Sequence, residues 1–182
     1  MEAHQDPKSQ GKKRPQQSKQ RPGPPSLAEF MLEAEHLREI AKAMLVADSH
    51  HANVLFTWRR DGVREVVLLD LKGFSGSVGD LVRAVVKVRD VVCFIAISEA
   101  WVLVGPDAEE ALAQSVRPSQ HADRREVLAV SACHPEGKRM WYVPFSREGG
   151  RIVLGREVDS ASAGLTVAGA IPSALDKEGG RP

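Results

Sequence analysis

Three side chains stand where acid–base chemistry could be assembled. Glu99 interrupts the apolar run 91–104, two residues before Trp101. A carboxylate embedded among strand residues must reach water, find a cation or move toward the neutral acid, and in that last state it could donate a proton. His121 and Asp123 lie in the polar stretch 117–126, which also carries Arg117, Arg124 and Arg125. An imidazole among carboxylates and guanidiniums is equipped for general-base work or anion binding, although the same mixture is found in ordinary exposed loops. Glu99, His121 and Asp123 are the candidate catalytic residues, on condition that folding brings them into one concave site.

Other reactive types are spaced less favourably. His50 and His51 are adjacent, so they point in different directions in most backbones. No H-E-x-x-H arrangement adds a carboxylate at helical spacing, and the pair is expected to cap a helix end or sit on the surface. Cys93 and Cys133 fall in apolar runs without the density of a disulfide scaffold, which makes them small core residues, with a disulfide between adjacent strands as the alternative. Cys133 precedes His134, but a nucleophilic thiol needs a base near it in space, which adjacency in sequence does not supply. Neither a GxGxxG fingerprint nor a GxxxxGK[ST] loop occurs, and no cofactor or metal is expected.

Lys12, Lys13 and Arg14 cluster near the N-terminus, and Arg59 and Arg60 follow Trp58. Basic residues interleaved with aromatics suit a stacking and phosphate-binding face, so these five are the candidate nucleic-acid contacts. The alternative is a strand that alternates inward aromatics with outward charge. Residues 1–25 carry Lys8, Lys12, Lys13, Arg14, Lys19 and Arg21 against Glu2 and Asp6, a local net of +4, which leaves −3 on the remainder of a chain whose total is +1. A negative body argues against a broad phosphate-gripping surface.

The elements that would position these residues are legible in outline. Residues 1–25 contain no aromatic or branched aliphatic side chain and should be a disordered basic tail, since nothing in them offsets the entropy of ordering. Ser26 and Glu29 form a capping box. Leu27, Phe30, Met31, Ala34, Leu37, Ile40, Ala41, Met44 and Leu45 then recur at spacings of three and four, which predicts one core-packing helix. Asp61-Gly62 between two β-prone runs predicts a hairpin. Ser77 and Asp80 open a second, valine-rich helix that must rely on tertiary packing. Residues 91–104 read as a long central strand, 125–133 and 139–145 as a returning pair, and 151–154 as a further strand after Gly149-Gly150. Pro144 lacks a ladder donor, which favours an edge position or a strand end.

The expectation is an α+β fold with a single, mostly antiparallel sheet of five to six strands and both main helices on one face. It spans residues 26–155 and is followed by a loosely structured extension, 156–182. The first 25 residues lack the apolar segment of a signal peptide and no long uncharged apolar stretch follows, so a cytoplasmic, non-membrane protein is the default expectation. The first functional expectation is a non-catalytic interaction or structural module that binds another protein or itself. A nucleic-acid-associated protein using its basic tail, and a small hydrolase or metal-assisted enzyme, are the alternatives.

Overall fold

The computed structural model describes residues 23–70, 72, 78–104, 110, 113, 114, 120–159, 167 and 168. Helix α1 (Leu27–Asp48) leads into the hairpin of β1 (Val54–Arg59) and β2 (Arg64–Leu68). Helix α2 (Val78–Val88) then carries the chain to β3 (Val91–Val104). A meander of β4 (Arg125–His134), β5 (Gly137–Glu148) and β6 (Arg151–Leu154) follows, with the short pieces β7 (Val158–Asp159) and β8 (Val167–Ala168) after it. Six strands lie in the order β2-β1-β3-β4-β5-β6, every pair antiparallel, while β7 adds to β5 and β8 to β3. The α+β class and the antiparallel sheet with two packed helices are as the sequence indicates.

The placement of the helices on a shared face is corrected. Phe30, Ala34, Ala41 and Leu45 of α1 pack with Ile95 and Ile97 of β3, Leu128 and Val130 of β4, and Trp141 and Val143 of β5. Val82 and Val86 of α2 pack instead with Leu55, Phe94 and Ala96. Successive strand residues point to opposite sides, so Phe94 and Ile95 cannot serve one layer, and the two helices cover opposite faces of the sheet. A register shift near Trp58 and Arg59 lets Val91 face α2 while Cys93 faces α1. Val102, Val127, Ala129 and Tyr142 form a third cluster, all buried. The second face is invisible in the helical stripes and follows only from the two apolar faces of β3.

Local chemistry explains where the elements start and stop. Ser26 accepts a hydrogen bond from the Glu29 main chain and the Glu29 carboxylate accepts one from the Ser26 N–H, so the predicted capping box is present. The first hairpin turns through three residues, Arg60, Asp61 and Gly62, and only Gly62 takes a positive φ (77°). That is the loop in which a left-handed residue closes a bulge, in place of a two-residue turn with both positions left-handed. Gly149 and Gly150, at φ 56° and 78°, do form such a two-residue turn between Glu148 and Arg151. Pro144 lies inside β5 opposite Val127, between the residues that pair with β7 and those that pair with β6. Its missing N–H is thus tolerated where the outer partner changes, not at a sheet edge. Ser77, expected to open the second helix, lies outside the described residues.

The two-face arrangement predicts independent cores. Leu45→Ala should cost about 2–5 kcal/mol and Val82→Ala roughly 1–3 kcal/mol, with the double variant additive to within about 0.5 kcal/mol in denaturant unfolding. A coupling energy well above that would mean the two side chains share one cluster.

Candidate functional site

Glu99 faces the α1 side of β3, and the C-terminus of α1 descends onto it. Ser49 leaves the helix in the left-handed conformation (φ 56°), which swings His50 and His51 toward the sheet. The His51 main-chain N–H donates to Glu99 Oε1, and His50 Nδ1 stands 2.9 Å from the same oxygen. Arg147 of β5 donates to Glu99 Oε2 at 2.7 Å and to Glu126 Oε1 at 3.1 Å, and it also caps the Ser49 carbonyl. Both oxygens of the 17% exposed Glu99 carboxylate are therefore engaged by cationic or main-chain donors. This geometry fastens a helix end to the sheet through charge-assisted bonds.

His51 is buried at 5% exposure, a correction to its expected surface position, whereas the His50 side chain is exposed. Burial holds the His51 imidazole below its ordinary pKa, and the Ala52 main chain and the Glu99 charge offset this only in part. His121 and Asp123 meet within one turn before β4. The Asp123 N–H donates to His121 Nδ1 at 3.2 Å, and the Asp123 carboxylate lies 3.7 Å from that nitrogen, largely in solvent. The structure thus joins His121 to Asp123 and places Glu99 in a different set of contacts. A cleft of about 480 Å³ is lined by Trp101, Arg124, Glu126, Phe145, Val153 and neighbours, but by none of the three candidates. Arg124 covers Trp101 at 4.9 Å from the ring centre, a contact that the alternation of the 91–104 run could have suggested through its outward tryptophan.

Phe94 pairs with Cys133 across β3 and β4, while Cys93 and Cys133 belong to clusters on opposite faces, so these thiols cannot approach for a disulfide. Burial pushes the Cys93 thiol up to about 12, the opposite of what a nucleophile requires. His134 is held by its turn, accepting from the Glu136 N–H at 3.2 Å. Among the described residues no three metal-binding side chains cluster, and no helix is long and apolar enough to cross a membrane. Arg59 pairs with Asp61 at 3.3 Å, and Arg60 lies 3.6 Å from Asp90. The aromatic side chain expected beside them, Trp58, is buried in the core. Lys12, Lys13 and Arg14 lie outside the described residues.

A feature that the sequence reading did not single out is the asymmetry of α1. Toward β5 and β7 its flank is sealed by ions: Arg38 bridges to Glu157 at 2.9 Å and lies over Trp141, while Glu35 pairs with Arg139, which also holds Asp159. On the flank toward β2, the Glu33–Arg64 pair closes only one end. Leu37, Ile40 and Met44 continue the Glu33 stripe at helical spacing, and Ile40 and Met44 are 41% and 47% exposed. Across from them, Val66 and Leu68 of β2 are 58% and 73% exposed on the same side of the sheet. The periodicity that marks the helix is indifferent to which apolar positions end up covered.

No family model matches the chain, and no curated protein or solved structure matches it.

The buried His51 makes stability pH-dependent. Its folded pKa lies below the unfolded value of about 6.5, so the unfolded chain binds more protons as pH falls through that value, and stability present at neutral pH is lost on acidification. Urea unfolding at pH 7.5 and pH 5.5 should show this loss in the wild type and a smaller one in His51→Gln; identical losses in both would exclude His51 as its source.

Proposed function

We propose that the protein is a non-catalytic interaction module whose contact surface is the open flank between α1 and β2. The supporting observation is the contrast between the two sides of α1. One is closed by the Arg38–Glu157 and Glu35–Arg139 pairs, whereas the other leaves Ile40, Met44, Val66 and Leu68 in solvent beside an edge strand. Scattered exposed apolar residues need no explanation, but four that line the two walls of one trough make a surface for which water is a poor partner. The outer side of β2 adds a row of main-chain donors and acceptors, so apolar and directional contacts are offered together. The Glu99–Arg147 network belongs to the framework that holds α1 at its fixed height above this trough.

A photoreactive amino acid placed at Leu68 in cells that express the full chain should give a discrete crosslinked species. The same probe at Glu39, on the sealed flank, should not. Absence of any crosslinked species at Leu68 would remove the interaction reading.

A further inference from the structure

We infer that the open edge of β2 takes a second copy of this chain, pairing β2 with β2 antiparallel across a two-fold axis at Val67. This rests on the interaction reading above and names its partner. Within the hairpin, the Arg59 N–H donates to the Val63 carbonyl and the Leu69 N–H to the Asn53 carbonyl. The odd-numbered residues from 63 to 69 therefore direct their main-chain groups at β1, and Arg64, Val66 and Leu68 direct theirs outward. Among the described residues no strand accepts them, since β2 ends the sheet.

Placing the axis at Val67 satisfies both the hydrogen-bond pattern and the side chains. Val66 then stands opposite Leu68 of the second copy, and Leu68 opposite its Val66, in pairs that exchange two main-chain hydrogen bonds. On the exposed face these are the two most solvent-accessible side chains of the strand, so the register brings apolar against apolar twice. One step further out, Arg64 meets Asp70 of the second copy. Asp70 is exposed and follows Leu69, whose main chain is still bonded to the β1 side. The alternate residues Arg64, Val66, Leu68 and Asp70 are thus complementary to themselves when reversed, positive end against negative end, and the contact is isologous and closes after two copies.

Strand edges in soluble proteins are usually blunted by charge, proline or brevity. Here the charges Arg64, Glu65 and Asp70 sit at the two ends of the segment, and Val66, Val67 and Leu68 between them carry none. The opposite edge does not compete: β6 has four residues, of which Val153 is the single apolar side chain that is largely exposed. An antiparallel pair through β2 would also join the two troughs beside α1 into one surface, with Ile40 and Met44 of each copy on its walls.

Sedimentation equilibrium of the full chain over the micromolar range tests the pairing. The wild type should dimerise. Leu68→Pro removes an outward N–H that β1 does not use, so it should abolish the dimer while leaving the monomer's circular dichroism unchanged. Asp70→Arg sets like charges against Arg64 twice and should weaken dimerisation by about tenfold or more. Adding Arg64→Asp together with Glu33→Lys to Asp70→Arg should recover most of that loss, because both of Arg64's pairs are restored with their signs exchanged. A wild type that stays monomeric throughout, or a dimer indifferent to Leu68→Pro, would overturn the inference. In that event a Leu68 crosslink to a different protein would leave the interaction reading standing, whereas no crosslink would end both.

Discussion

The architecture depends on the fact that β3 has no polar face. Cys93, Ile95 and Ile97 on one side and Phe94, Ala96 and Val102 on the other are all essentially buried, so a single layer of cover would leave half of the longest strand in water. Burying an isoleucine, valine or phenylalanine is worth about 1.5–3 kcal/mol, and two of these on each face outweigh the local preferences of the helices. That demand places α1 and α2 on opposite sides. It also explains how a valine-rich segment of low intrinsic helicity is stable: α2 is held by Val82 and Val86 against Phe94, Leu55 and Ala96.

Charge finishes what burial begins, and does so unevenly. The Glu99 carboxylate collects the end of α1, the His51 main chain and Arg147 into one knot. Arg38, Lys42, Glu157, Arg139 and Asp159 close the far side of the helix over Trp141. Each exposed pair is worth little on its own, but together they fix α1 on the sheet at both its C-terminus and one flank. Among the described residues the β2 flank receives only the Glu33–Arg64 pair, and there exposed apolar side chains lie beside a strand edge that no described strand covers.

Much of this order is written locally in the chain, and what is not written there is tertiary. The Ser26–Glu29 capping box, the stripe from Leu27 to Leu45 and the left-handed Gly62, Gly149 and Gly150 are decided within a few residues of themselves, and they were readable. The opposite-face placement of α2 was not, because it follows from the alternation of β3 and not from any property of α2. Pro144 misled for a related reason: its meaning depends on β6 and β7 dividing the outer side of β5 between them. Glu99 was readable as a carboxylate in need of a partner, but its partners lie 48 residues away on either side, at His51 and Arg147. His121 and Asp123 were close in sequence and remain close in space, which is why their proximity carries so little information. The exposed Ile40 and Met44 belong to the same periodic stripe as the buried Ala41 and Leu45, and only the position of β2 separates them.

The described residues bury β3 on both faces and give the outer ladder of β2 no partner. Residue-resolved hydrogen exchange on dilute protein measures both halves at once. The account predicts the slowest exchange for the amides of Phe94 to Val102, with Val66 and Leu68 exchanging close to unprotected rates while Glu65 and Val67 beside them are slowed. Equal protection at all four β2 amides in dilute solution, or β3 amides that open as readily as the helix ends, would contradict it.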